Sequence, residues 1–357
     1  MSQIHVAVGV IQDADGRVLI TRRSARQHLG GFWEFPGGKV EAAETVQHCL
    51  ARELQEELGI MIDPNHVQPL CLVEHDYGDK KVLLDVWRIT RYRGTPTGLE
   101  GQPLRWVAIN ALQAEEFPAA NRAIIRNLQL PPCIAIVDIH PDTTPAAIGN
   151  WHSDCLVRLR AGWPELASPP VCETQRAAIG HAYLQRAVAE LVRLTPHAAG
   201  TLLDLAPLLA HPPTTIAQLA AQHPSFRGVH CNRWALTDPR TVPWLTAAKE
   251  HWQLLTDGQL LADRQLLIGA SCHNKGELQA ATQVGADFAL LSPVQATRSH
   301  PDTRPLGWPG FAELVAQARL PVYALGGMTM ADLTTAQAAG ARGIAGISLF
   351  QARDQLR

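Results

Sequence analysis

Apolar and polar positions alternate over residues 4–11, and the β-branched residues there predict a strand. The turn Asp13-Ala14-Asp15-Gly16 comes next, then a second apolar run over residues 18–21. From Val46 the period changes: Val46, Cys49, Leu50, Leu54 and Leu58 fall three and four apart, the buried stripe of a helix. Gly59 stands where a left-handed residue would end that helix. Residues 67–73, 82–89 and 104–107 predict further strands, and a helix is predicted through Leu128. Pro131-Pro132 stops that helix and stiffens the joint between the two halves of the chain. Beyond it, apolar runs cover residues 133–137, 155–159, 201–205, 228–230, 266–271, 288–292, 322–325 and 343–347. Helical patterns lie between most of them, at 173–194, 275–284 and 311–318. Such alternation predicts an α/β architecture of eight βα units, a (β/α)₈ barrel. The pattern is faintest between residues 140 and 200.

A chain of 357 residues exceeds one ordinary core, so two domains are expected, 1–131 and 132–357. With 46% apolar residues, 18% charged residues and a net charge of −2, it reads as globular. That balance offers no basic face for nucleic acid or for a membrane. Seven cysteines without C-x-x-C spacing read as reduced thiols of a cytoplasmic protein, not a disulfide frame or zinc site. The opening MSQIHVAVGV lacks a signal-peptide pattern, and no apolar run approaches the ~18 residues of a membrane span.

The helix beginning near Val46 carries chemistry on its other face. Glu53, Glu56 and Glu57 share that face, and Arg52 lies one turn before Glu56. Carboxylates so close repel, and a bound cation removes the penalty; oxygen-only donors favour Mg²⁺ or Mn²⁺. An acidic helix face is also what plain solvation produces. Here, however, Gly38 is followed after five residues by Glu44 and after seven more by Arg52-Glu53. Upstream, Arg22 and Arg23 supply cations that suit a phosphate or sugar. Phe35, in Phe32-Trp33-Glu34-Phe35-Pro36, is either core or the wall of a base pocket.

Residues 38–60 match the pattern G-x5-E-x7-R-E-U-x-E-E-x-G-U (U apolar) of the Nudix box. Together with IHVAVGVI, LITRRS, EFPGGKVE, EGQP and FPAAN, they make residues 1 to about 131 resemble the MutT-type 8-oxo-dGTP diphosphatases. The resemblance implies a Nudix α/β/α sandwich with a mixed sheet. It also implies Mg²⁺-dependent attack of water on the β-phosphorus of a nucleoside triphosphate, giving monophosphate and pyrophosphate and cleansing the nucleotide pool. Gly37, Gly38, Glu53, Glu56, Glu57 and Glu100 match the metal-binding set. Glu53 is the first choice for orienting or deprotonating water, and Arg52 ties Glu44 in place. Arg23, Phe35, Gly38 and Asn121 match nucleotide-binding positions, with Tyr77 and Lys80 in the adjoining loop. The family has arginine where this chain has Lys80, which cannot make the planar fork. An amide at Asn121 offers an acceptor to the N7–H that oxidation of guanine creates; capping the adjacent helix is its alternative role.

From about residue 200 the chain resembles thiamine-phosphate synthase and its TenI-like relatives, also (β/α)₈ barrels. Gly269-Ala270-Ser271-Cys272-His273, Ser292-Pro293-Val294, Thr297, Ser299, Gly326-Gly327 and Ser348 carry the likeness. The departures are Arg158-Leu159-Arg160-Ala161-Gly162 for Q-L-R-E-K, Leu203-Asp204-Leu205 for N-D-R, no acid over residues 229–235, and His300 for a lysine. The resemblance therefore implies a retained phosphate cup without a metal site, binding a phosphorylated small molecule through Ser271, Thr297, Ser299, Gly326, Gly327 and Ser348. The alternative is a thiamine-pathway protein, whose barrel makes or binds thiamine phosphate and whose first domain cleaves a thiamine-like diphosphate.

Overall fold

A computed structural model describes residues 3–24, 29–140, 155–163, 172–194, 198–257, 266–297, 303–347 and 349. Ser299, His300 and Ser348 lie outside these residues. The chain divides into two compact units, Met1–Leu130 with Arg319–Pro321, and Pro131–Ala318 with Val322–Arg357.

The first unit runs β1 (Gln3–Ile11), β2 (Val18–Arg22), β3 (Trp33–Glu34), β4 (Gly37–Lys39), α1 (Val46–Leu58), β5 (Gln68–Asp76), β6 (Lys81–Ile89), β7 (Leu104–Val107) and α2 (Ala119–Gln129). Its main sheet has the order β4-β1-β6-β5 and is mixed, because β1 pairs β6 in parallel while β4 and β5 join antiparallel. A second, antiparallel sheet has the order β3-β2-β7. Alternation along β1 sends Ala7 and Ile11 to one face, where Cys49, Leu50, Leu54 and Leu58 of α1 cover them. Val8 and Val10 point to the other face and pack with Ile124, Ile125 and Leu128 of α2. Gly9 shares the α1 face, and a Cβ there would meet Ile89 at 3.0 Å and Leu54 at 3.5 Å. The sheet is thus sandwiched between the two helices. The glycine segment Gly37-Gly38 forms the short strand β4 on β1.

The second unit is a closed barrel of eight parallel strands: β8 (Cys133–Ile139), β9 (Cys155–Ala161), β10 (Gly200–Asp204), β11 (Phe226–Cys231), β12 (Leu267–Cys272), β13 (Phe288–Leu291), β14 (Val322–Leu325) and β15 (Gly343–Gly346). Helices α3 (Glu173–Leu194), α4 (Leu205–Leu208), α5 (Thr214–Gln222), α6 (Arg233–Thr237), α7 (Thr241–Asp257), α8 (Lys275–Gln283), α9 (Gly307–Val315) and α10 (Leu333–Ala338) lie between strands. Helix α9 begins four residues before the apolar pattern suggests. Pro309 sits in its first turn, where a missing N–H leaves no bond unmade. The described cysteines are free, and all but Cys172 are buried. Among the described residues no helix is long and apolar enough to cross a membrane.

Candidate active site

Helix α1 is held at both ends. The Thr45 hydroxyl accepts from the His48 N–H at its start, and Gly59, with φ 67°, closes it in the left-handed region. That rigid frame presents Arg52, Glu53, Glu56 and Glu57. Arg52 makes a fork onto Glu44 (Nε–Oε1 3.1 Å, Nη2–Oε2 3.0 Å) and reaches Glu53 through Nη1 at 2.8 Å. Glu56 lies 3.6 Å from the same Nη1. Arg52 therefore fixes the rotamer of Glu53 and ties the loop before α1 to the helix. These bonds hold the Glu44 carboxyl below its ordinary pKa. The Cys49 thiol behind them is pushed up to about 12, by burial first and then by Glu44 and Glu53, so it stays a thiol and no nucleophile.

Strand β4 passes across this face. A Cβ on Gly38 would sit 2.1 Å from the Glu53 carboxyl carbon, so the glycine exists to let that carboxylate approach the backbone. Gly37 has φ 143°, a Cβ there would meet the Ala7 carbonyl oxygen at 2.1 Å, and its N–H points at Glu57 Oε2, 3.4 Å away. Glu100 arrives on a separate loop, and the carbonyl ends of α1 anchor that loop. Leu99 N–H donates to Glu57 O (3.0 Å), Thr97 N–H to Leu58 O (3.0 Å), and Gln102 Nε2 to Glu57 O (2.9 Å). The Gln102 side-chain oxygen in turn accepts from Glu100 N–H at 2.9 Å. Gln102 thus sets the loop on the helix, a role that sequence reading missed inside E-G-Q-P.

Glu57 is the focus of this electrostatics. Its pKa is raised to about 8, by burial first and then by Glu34, Glu53 and Glu100, against the opposing Gly37 N–H. Glu34 on β3 also went unnoticed in the sequence; its own carboxyl is raised by burial and held back by Arg23, whose Nη1 is 2.5 Å from Glu34 Oε2. Among the described residues no three acidic, His or Cys side chains form a ready cage for an ion. Their carboxylates turn to Arg52, Arg23 and the Gly37 N–H instead. The donor set nevertheless suits a hard cation in kind: oxygen only, and carrying mutual repulsion that a cation relieves.

Of the nucleotide-binding candidates, Phe35, Tyr77, Lys80 and Asn121 gather around the start of α2, while Arg23 pairs with Glu34 and Gly38 lies against Glu53. Phe35 is buried and stacked on Phe117, centroids 5.6 Å apart, so it serves the core at this edge. The Tyr77 hydroxyl faces the Ala120 N–H at 3.5 Å, and Lys80 Nζ lies over the Tyr77 ring at 5.8 Å. Asn121 is half-buried at the third position of α2, whose N-cap is Pro118, so it does not cap the helix.

A family model described as the NUDIX domain matches residues 7–127, the span that holds all of these groups. The 8-oxo-dGTP diphosphatase of Escherichia coli (strain K12) is 40% identical over 129 residues, 36% of this chain and 98% of that protein. The chain belongs to the Nudix family. Its N-terminal unit is a Nudix pyrophosphohydrolase. The protein of the same description from Proteus vulgaris is 42% identical over 28% of this chain and 87% of its own length.

C-terminal to the Nudix unit in sequence, a second model, described as thiamine monophosphate synthase, matches residues 255–350. A putative thiamine-phosphate synthase 2 from Aquifex aeolicus (strain VF5) is 42% identical over 84 residues, 24% of this chain. That alignment spans 45% of the relative's length. At the end of β14, Gly326 (φ 100°) and Gly327 (φ 72°) carry the chain past Pro293 and Gln295, where any Cβ would lie within 3 Å of them. Thr297 is brought beside Gly326. Among the described residues, the N–H groups of Gly326, Gly327 and Met328 meet no protein acceptor. Successive backbone amides in a turn are the kind of element on which proteins bind anions. Asp204, by contrast, is not open to an ion: Arg158 grips it through Nε at 2.8 Å and Nη2 at 3.3 Å, and Ala161 N–H at 3.1 Å.

Proposed function

We propose that the Nudix unit hydrolyses 8-oxo-dGTP and related oxidised guanine nucleotides to the monophosphate and pyrophosphate, removing mutagenic precursors. The observation that carries this reading is the acid cluster on α1 and β4, where half-buried Glu57 meets the Gly37 N–H, Glu53 abuts Gly38, and Glu34, Glu53 and Glu100 repel the Glu57 carboxylate. The likeness to curated 8-oxo-dGTP diphosphatases supports it. Gly37, Gly38, Glu53, Glu56, Glu57 and Glu100 would hold Mg²⁺, or Mn²⁺ in its place. Such an ion, when bound, neutralises phosphate oxygens and lowers the pKa of water. Arg23 binds the phosphate or sugar. Glu53, fixed by Arg52, orients the attacking water and takes its proton. The new oxygen–phosphorus bond forms at the β-phosphorus, and the bond from that atom to the bridging oxygen of the α-phosphate breaks. The nucleoside monophosphate leaves with that oxygen.

Asn121 supplies base selectivity. Its amide oxygen accepts from N7–H of the oxidised base but faces a lone pair on guanine, a mismatch worth ~1–3 kcal/mol. The test is kcat/KM of the purified chain for 8-oxo-dGTP, dGTP, CTP and thiamine diphosphate, with Mg²⁺ and with EDTA. A flat profile, or a preference for thiamine diphosphate, would sink the assignment. For the barrel, the amides of residues 326–328 support binding of a phosphorylated small molecule. The capture of Asp204 by Arg158 disfavours the synthase form of the thiamine-pathway alternative, in which the barrel makes thiamine phosphate by forming a carbon–nitrogen bond and expelling pyrophosphate, and does not bear on its binding form.

A further inference from the structure

Four inward-facing side chains on four neighbouring barrel strands make one network: Arg158 on β9, Asp204 on β10, His230 on β11 and Ser271 on β12. Besides gripping Asp204, Arg158 donates from Nη1 to Ser271 Oγ at 3.1 Å, and His230 Nε2 lies 2.9 Å from the same oxygen. Arg158, Asp204 and His230 are buried, while Ser271 is half-buried near the C-terminal end of its strand. That end of a (β/α)₈ barrel is where ligands bind. Gly269 makes room for the imidazole, since a Cβ there would be 2.5 Å from His230 Nδ1.

Donors and acceptors in the network do not quite balance. Asp204 accepts three hydrogen bonds and lies in the interior, so no cation reaches it without expelling Arg158. His230 is neutral, because burial and the nearby Arg158 charge both oppose its protonation. Its Nδ1 is buried with no partner. A proton placed there would be a stranded donor, so the proton sits on Nε2 and is donated to Ser271. The Ser271 oxygen then accepts from both Arg158 and His230. Its own O–H has no acceptor within the network, and it is polarised by the guanidinium behind it.

We propose that Arg158 stands in for a divalent cation at the barrel mouth: it neutralises Asp204 and polarises Ser271, whose O–H binds a phosphate-type oxyanion without metal. The proposal rests on the reading of the barrel as a phosphate-binding module and specifies how that module balances charge. It also accounts for the glutamine-to-arginine departure at position 158.

The test is calorimetric titration of the full chain with inorganic phosphate, in Mg²⁺ and in EDTA. Three variants accompany the wild type: Ser271→Ala, the double variant Arg158→Met/Asp204→Asn, and Gly327→Ala. The double variant removes both charges together, because Arg158→Met alone strands a buried carboxylate and risks unfolding. Circular dichroism checks that each variant is folded. The expected result is equal phosphate affinity in Mg²⁺ and EDTA, weakened about tenfold in Ser271→Ala, the scale of one charge-assisted hydrogen bond. The folded double variant should weaken it at least as much. Binding that requires Mg²⁺, or that Ser271→Ala and the double variant leave untouched while Gly327→Ala abolishes it, would overturn the proposal and leave the phosphate cup standing. No phosphate binding under either condition would overturn both.

Discussion

Among the acids of the Nudix unit, position in the hydrogen-bond network decides role. Glu53 is the one whose rotamer Arg52 fixes at 2.8 Å and whose carboxyl abuts Gly38. Glu56 extends toward solvent with 61% of its side chain exposed, and suits a ligand that moves in. Glu53→Gln keeps the shape and the Arg52 contact but removes the base, so kcat should fall by ~10²-fold or more. Near-normal turnover in a folded Glu53→Gln protein would assign the water to another acid. Asn121 is no helix cap, so replacing it should not cost the ~1 kcal/mol of a lost cap. Asn121→Ala should instead lower the preference for 8-oxo-dGTP over dGTP by ~1–3 kcal/mol. Equal losses in kcat/KM for the two substrates would make Asn121 a positioning residue with no say in the base.

At the scale of elements, the box helix and the barrel strands were plain in the sequence for the same reason. Helix α1 has an uninterrupted stripe from Val46 to Leu58, and fully buried parallel strands are nearly continuous apolar runs. β3 and β4 were missed because two and three residues carry no period. Glu34 went unseen with them, since only the pairing of Thr21 with Glu34 places its carboxylate beside Arg23. The fate of Asp204 was likewise hidden: it depends on Arg158, which lies on a neighbouring strand far away in sequence. Strand β4 yields a prediction of its own. The backbone of Gly38 is not left-handed, so alanine is forbidden there only by the 2.1 Å approach to Glu53. Gly38→Ala should displace that carboxylate and lower kcat by ~10²-fold, the scale for an ångström of misplacement. It should also lower the melting temperature, and adding Glu53→Ala should restore it. A double variant that melts no higher than Gly38→Ala would place the clash elsewhere.

At the scale of the whole molecule, each unit closes its own core. The first surrounds its sheet with α1 and α2; the second completes a barrel through β15 on β8. Pro131 and Pro132 side with the barrel: the Tyr323 hydroxyl donates to Pro131 O at 2.6 Å, and Ile344 N–H to Pro132 O at 3.0 Å. A cut after Leu130 therefore leaves α2 capped, with Leu130 N–H on Arg126 O, and severs no strand. The fragment 1–130 should fold and retain the hydrolase activity of the full chain within about twofold; an inactive fragment beside an active full chain would mean that the barrel completes the site. The same fragment isolates the charge frustration at Glu57. Its folded pKa, about 8, lies above its ordinary 4.5, so the folded state holds a proton that the unfolded state has released between those values. Stability of the metal-free fragment should therefore be fullest below pH ~4.5, as far as this group decides, and decline as pH rises through about 8. A divalent cation replaces the proton as the balancing charge, so Mg²⁺ should raise the melting temperature most at the alkaline end of that range. Thermal melts of fragment 1–130 at pH 5 to 8.5 in EDTA and in Mg²⁺ measure both slopes, with Glu57→Gln as the control in which the EDTA slope should flatten. Parallel curves for wild type and Glu57→Gln would remove Glu57 as the site where acid repulsion and cation binding meet.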